Sequence, residues 1–283
     1  MYRLLVPKET SVTACLYNNR HSFTSLSKYS IHPKVQHHSI CLFDSSNTGT
    51  VESSHDDDDP AAAPWSSSSS RFVKACAAFE VAHNEDPRWV EIKNIDGPNT
   101  TITIPYSVHY HRRMAYWLDQ LVMKEKQDEE GKDESNEALQ LAVRCQHIRR
   151  WTRPRQDYPK GLVGYKQWRK DLAKFHAREA ATIMSECGYE MNMITRVGQL
   201  LQKQNLDTDP DVQLLEDVIC VVFLENEYTA FVEQDKYEEE KLVDIVQKTW
   251  KKMTPRGHEA ALQLAGSLTE RGLRVVERAL EEG

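Results

Sequence analysis

The run Val218–Leu224 constrains this chain more than any other stretch. It lies downstream of Asp209-Pro210, where an aspartate can cap free N–H groups and a proline fits the first turn without losing a hydrogen bond, so the spacing predicts a helix opening there. The seven residues Val218, Ile219, Cys220, Val221, Val222, Phe223 and Leu224 place apolar groups on every side of that helix. Such a helix must be covered all round, which puts it at the centre of a helical bundle. Seven apolar residues are also far fewer than the ~20 that cross a bilayer, so no membrane partner is expected.

Other segments can supply the cover. Phe72, Cys76 and Phe79 recur at helical spacing and stop before Asp86-Pro87, where proline restricts the residue ahead of it. Val90 and Ile92, then Ile102 and Ile104, alternate with polar residues around Asp96-Gly97, the pattern of a β-hairpin. Tyr110, Met114, Trp117, Leu118 and Leu121 trace a helical face, and the charged stretch Lys124–Glu134 reads as an exposed loop or frayed helix end. Leu139, Ala142, Val143 and Ile148 mark another helix. After Arg149 the pattern fails through Pro154, Pro159, Gly161 and Gly164, and resumes at Tyr165, Trp168, Leu172, Phe175 and Ile183 until Gly188 offers a stop. Helices are also expected around Ile194–Leu201 and Leu242–Trp250, with a last one over Ala261–Leu280. The expected fold class is therefore all-α, a multi-helix bundle with one small β-hairpin, occupying residues 71–283 as a single domain.

Residues ahead of Arg71 lack this periodicity. Over residues 1–43 the bases are Arg3, Lys8, Arg20, Lys28 and Lys34, the sole acid is Glu9, and Ser and Thr are frequent, a composition resembling an organellar transit peptide for mitochondrion or chloroplast. Without targeting, the expected location is cytoplasmic. Residues 44–70, with Asp56–Asp59 and Ser66–Ser70, read as a disordered acidic and serine-rich linker. Cys76, Cys145, Cys187 and Cys220 fall in separate predicted helices without a C-x-x-C pair, as reduced thiols would.

The densest chemistry lies between Gln146 and His176. Arg149, Arg150, Arg153, Arg155, Lys160 and Arg169 alternate there with Trp151, Tyr158, Tyr165 and Trp168. Guanidinium forks bind phosphate bidentately and aromatic faces stack, so the segment is expected to hold an anionic, phosphate-containing small molecule. With a formal net charge of −7 for the whole chain, a long electrostatic track for nucleic acid is disfavoured, although a local RNA-binding pocket stays open as an alternative. His147 ends one predicted helix, His176 lies in the next, and Glu216 and Asp217 open the apolar one. Converging inside a bundle, imidazoles and a carboxylate would suit a divalent metal such as Mn, Co, Fe or Mg.

The string Gln146-His147-Ile148-Arg149-Arg150-Trp151, then Pro154-Arg155, Tyr158-Pro159, Gly161, Gly164-Tyr165, Trp168-Arg169, Phe175-His176-Ala177 and Leu215-Glu216-Asp217 resembles domain-of-unknown-function family 4202, found in plants and bacteria. That family is in turn distantly similar to HD-type metal-dependent phosphohydrolases. The resemblance implies an HD-like bundle in which His147 matches the histidine of the His-Asp pair, His176 a further histidine and Asp217 the late aspartate, with His109 or His111 as the first ligand. Ile148 stands where the pair's aspartate belongs. Either Glu216 or Glu179 replaces that carboxylate, or the site has lost its metal. With a metal, the implied activity is hydrolysis of a small nucleotide-like phosphate ester, Arg149, Arg150 or Arg155 neutralising phosphoryl charge. The alternative is a non-catalytic protein binding a nucleotide or RNA through the arginine and aromatic loop.

His147-Ile148-Arg149-Arg150 and Lys252-Met253-Thr254-Pro255-Arg256 also echo the two signature strings of class I aminoacyl-tRNA synthetases, and members of the family carry glutamyl-tRNA synthetase-like labels. Those signatures operate on a parallel α/β sheet, and this chain offers no alternating strand-helix series to build one. Synthetase activity is the least favoured reading.

Overall fold

The structure is a computed structural model, and it describes residues 70–93, 101–123, 134–234 and 237–282. The expected leader and all of the linker but Ser70, the Asp96-Gly97 turn and most of the charged stretch after Met123 lie outside these residues. Helix α1 covers Ser70–Asn84, one residue earlier than expected. Asp86 ends the segment by accepting from the Arg88 backbone N–H and from both arms of its guanidinium, at 3.0, 2.9 and 2.7 Å. The hairpin follows as β1 (Trp89–Lys93) and β2 (Thr101–Pro105), antiparallel, with Val90 opposite Ile104 and Ile92 opposite Ile102. The alternating apolar residues therefore pair across the strands as the pattern required.

Helices α2 (Tyr106–Met123) and α3 (Glu134–Cys145) come next, then a turn and two short 3-10 segments, then the long α4 (Gly161–Glu186). Helix α4 begins four residues ahead of Tyr165, where the periodicity resumes. Gly161 has φ of +87°, and Gly164 sits so close to the Pro159 carbonyl that an added Cβ would lie 1.9 Å from its oxygen. The glycines that read as pattern breakers are thus what allow the preceding loop to fold back on the first turn. Gly188, also left-handed, closes the other end, with the Tyr189 N–H donating to the Met184 carbonyl at 3.0 Å, a Schellman-type stop.

Helix α5 (Met191–Leu201) folds back against α4, and α6 (Pro210–Asn226) is the apolar helix. Asp209 caps α6 through the Asp211 and Val212 N–H groups, as its position before Pro210 implied. Val212, Leu215, Val218, Val221 and Val222 are fully buried, and α6 packs against α2, α3, α5 and the later helices. Truncating one such leucine to alanine is expected to cost about 2–5 kcal/mol. The chain ends with α7 (Tyr228–Val232), α8 (Glu239–Trp250), α9 (Pro255–Gln263) and α10 (Glu270–Glu281).

The single last helix expected over Ala261–Leu280 is therefore two helices. A 3-10 turn at Ala265–Ser267 interrupts it, and Thr269 recaps the chain by accepting from the Gly272 N–H at 3.2 Å. Apolar periodicity continues across the break because both pieces face the same core, so periodicity alone did not separate them. Among the described residues, Cys76, Cys145, Cys187 and Cys220 are free thiols, and no helix is long and apolar enough to cross a membrane.

Candidate anion-binding cleft

Helix α3 stops at Cys145, and the chain turns through Gln146, His147 and Ile148 to Arg149, which sits in the left-handed region at φ 50°. A residue with a Cβ is strained there. Arg149 is held by three hydrogen bonds, two from its guanidinium to Glu85 and one to Glu179, all at 2.9 Å. It ties the end of α1 and the middle of α4 to this turn, and so acts as a strut rather than a ligand group. Glu179 is consumed by the same contact and does not replace the missing aspartate.

The turn, the Arg169–His176 face of α4 and the Leu201–Gln204 turn after α5 enclose a cleft of about 430 Å³. Gln146, His147, Arg150, Arg169, Lys170, Lys174, His176, Gln202, Lys203 and Gln204 contribute its polar lining, and no carboxylate does. Arg150 lies over the Trp168 ring, 4.8 Å from its centroid. Among the described residues Arg150, Arg169, Lys170 and Lys174 make no ion pair. Burial, followed by the nearby charge of Arg169, makes Arg150 easier to deprotonate than an ordinary arginine. Lys203, left-handed at φ 54°, is paired with Glu216 behind the lining. Unpaired cations gathered over a concave surface make a site for an anion.

Four histidines run inward from this cleft, and their partners separate packing from function. The His83 and His111 rings stack with centroids 3.7 Å apart. His83 donates from Nε2 to the Arg144 carbonyl at 2.7 Å and accepts the Ser107 hydroxyl at Nδ1 at 2.9 Å. His111 donates from Nδ1 to the Ser107 carbonyl at 2.6 Å and accepts the His147 backbone N–H at Nε2 at 3.2 Å. Both are satisfied neutral tautomers. His147 is half-buried, its ring 5.8 Å from that of His176. His176 is buried and donates from Nδ1 to the Ile148 carbonyl at 2.9 Å, yet its Nε2 has no hydrogen-bond partner. A carbonyl only accepts, so Nδ1 carries the proton and Nε2 presents a bare lone pair. Burial first, and the charges of Arg150 and Arg169 after it, lower the His176 pKa to about 3 although its bond to Ile148 opposes the shift. Burial and Arg150 hold His147 well below its ordinary value too.

The proposed metal ligands do not assemble. Asp217 accepts the Thr254 N–H at 2.8 Å and the Thr254 hydroxyl at 2.5 Å, pinning the start of α9. Glu216 faces Lys203 and Lys252, and His109 bonds Asn226 at 2.9 Å. Both ring nitrogens of His111 are engaged, as above. Of the whole set only His147 and His176 line the cleft, and among the described residues no group of three or more His, Cys, Asp or Glu is arranged to hold a metal ion. Two imidazoles amid unpaired arginines and lysines, with no carboxylate, do not fit a divalent cation. Ile148 is fully buried, so the position where the pair's aspartate belongs points its side chain into the core.

The proposed anion-binding residues divide as well. Arg150 and Arg169 line the cleft. Arg155 spends its guanidinium on the carbonyls of Tyr158, Pro159 and Gly161 at 2.9, 2.8 and 3.2 Å, shaping the loop. Arg153 stacks on Phe175, and its carbonyl accepts the Trp168 indole N–H at 2.9 Å. Trp151, Tyr158, Lys160 and Tyr165 are outside the lining, Tyr158 against Asp171 and Tyr165 beside Trp168. Lys170 and Lys174 were legible as an i,i+4 cationic pair on α4. Lys203 carried no sequence signal, since only the fold of the turn after α5 brings it here. A separate void of about 30 Å³ among Leu224, Val246, Met253 and Val276 is apolar.

The pattern of the family described as Domain of unknown function (DUF4202) matches residues 73–276. No curated protein matches the chain, and no solved structure does.

Proposed function

Since the chain belongs to the DUF4202 family over residues 73–276, a family whose description supplies no activity, we propose from the cleft itself that the protein binds a phosphate-bearing small molecule between the turn after α3 and helix α4. One observation carries this reading. Arg150 and Arg169 face a single concave cleft whose lining contains no carboxylate, and Arg150 is held there without an acidic partner among the described residues. Burial disfavours the charged form of Arg150, a cost that a bound anion offsets. The cleft volume of about 430 Å³ suits a small molecule. An extended RNA strand is less well served, because the cations converge on one concavity and do not form a track.

A second reading is favoured by the bare Nε2 of His176 beside the same cations. A group so placed can take the proton of a water attacking a bound phosphate ester, which would make the protein a hydrolase whose general base is a side chain. It ranks second because two flanking guanidiniums weaken that base. The metal-assisted route expected from the HD resemblance is not part of the proposal, for the donor set does not fit one.

Isothermal calorimetry with inorganic phosphate and pyrophosphate tests the binding reading. Saturable binding is expected, falling about 10- to 100-fold in Arg150→Ala and Arg169→Ala, the loss of a charge-assisted contact. Equal heats in wild type and both variants would sink it. Phosphate release from p-nitrophenyl phosphate, assayed with and without added manganese, separates the second reading. Release that needs manganese contradicts the second reading.

A further inference from the structure

Two buried acceptors in the cleft lack a donor. The Nε2 of His176 and the Oε1 of Gln146 are without hydrogen-bond partners, and their residues are 3% and 5% exposed. The His176 assignment rests on the Ile148 carbonyl, which forces the proton onto Nδ1. Native proteins rarely leave such groups unpaired, because each costs a desolvation penalty that only a donor offsets. The cations around them complement a phosphate and make no hydrogen bond to either acceptor, and a fully ionised phosphate has no proton to give them. A bound molecule that satisfies them carries its donors on a part other than the phosphate.

The aromatic groups narrow that part further. Arg150 lies over Trp168 and Arg153 over Phe175, and the cleft lining holds no Trp, Tyr or Phe. A nucleobase therefore finds no Trp, Tyr or Phe face there, only the half-buried imidazole of His147, and stacking on a large ring is what most often holds a base in a protein site. Leu172, Ala173 and Leu201 are the apolar lining, enough to touch a carbon skeleton but not to house a lipid chain.

We infer that the ligand is a phosphorylated polyol or sugar, whose phosphate is held by Arg150 and Arg169 and whose hydroxyl groups donate to His176 Nε2 and Gln146 Oε1. The inference rests on the phosphate-binding reading and replaces a nucleotide with a hydroxyl-rich ester.

Matched ligands test it on the full chain. Glycerol 3-phosphate and propyl phosphate share a phosphate and a three-carbon skeleton and differ in two hydroxyls. Glycerol 3-phosphate is expected to bind about tenfold or more tightly by calorimetry, because the analogue leaves the acceptors unpaired. Ribose 5-phosphate is expected to bind at least as tightly as AMP. In His176→Asn, whose amide can still donate to the Ile148 carbonyl while Nε2 is gone, the affinity ratio of glycerol 3-phosphate to propyl phosphate should fall several-fold. Equal affinities for the matched pair in wild type, with inorganic phosphate still bound, would overturn the inference and leave the phosphate reading standing, with water as the donor. AMP binding tenfold tighter than ribose 5-phosphate would overturn it as well. If inorganic phosphate and all four esters fail to bind, both fall. The matched pair decides the matter on wild-type protein even where His176→Asn does not fold.

Discussion

The Nδ1–H of His176 donates to the backbone carbonyl of Ile148 across 2.9 Å. The position that lacks a metal-binding carboxylate thus serves the cleft through its main chain, while its side chain fills the core.

Restoring the carboxylate is therefore expected to damage the fold and not to create a metal site. Ile148 is fully buried, and an aspartate there is a buried charge without a partner. Ile148→Asp should lower the unfolding free energy by more than about 3 kcal/mol in a urea titration. Stoichiometric manganese in the purified variant, with stability retained, would contradict this account.

Adjacent arginines should separate cleanly. Arg149→Ala removes the ties to Glu85 and Glu179, which are partly exposed, and should cost about 1 kcal/mol of stability while leaving inorganic phosphate affinity within about twofold. Arg150→Ala should do the reverse, weakening phosphate by about 1.5–3 kcal/mol with little change in urea midpoint. The two titrations on both variants check the division.

Asp217 should prove structural. Asp217→Ala strands the Thr254 N–H and hydroxyl and is expected to cost about 2–4 kcal/mol. Gly257→Ala should also destabilise, because its Cβ would lie 2.7 Å from the Asp217 Oδ1. Phosphate affinity measured well below the unfolding transition should not change in either.

Stability should fall on mild acidification. Burial lowers the pKa of His83 to about 4 and that of His176 to about 3, against about 6.5 in an unfolded chain. Between those values the unfolded chain binds more protons than the folded one, so stability rises with pH across the window and is lost as pH drops from about 6.5 toward 4. Carboxylates held down by arginine, such as Glu85 by Arg149 and Asp209 by Arg196, contribute only in the more acidic carboxylate range. The thermal midpoint is expected to drop between pH 7 and pH 5, less steeply in His83→Gln. A flat profile would contradict the neutral, buried histidines.

What the sequence by itself determined about this protein is local and periodic. The apolar circumference of Val218–Leu224 dictated a central helix, Asp209-Pro210 its start, and the alternation of Val90, Ile92, Ile102 and Ile104 the hairpin, because each depends on neighbours within a few residues. Arg150, Arg169 and His176 also lie in one stretch of the chain, but the turn at Leu201–Gln204 that closes the cleft comes from elsewhere. What each charged group does was decided only by tertiary structure. Arg149 and Arg150 are indistinguishable as letters, yet a left-handed backbone turns one toward Glu85 and Glu179 while the other lies over Trp168 in the cleft. Glu216 and Asp217 are adjacent, but successive helical residues point about 100° apart, so one meets Lys203 and the other Thr254. A hydrogen bond or ion pair belongs to whichever group the packing brings within about 3 Å, and no spacing along the chain states that.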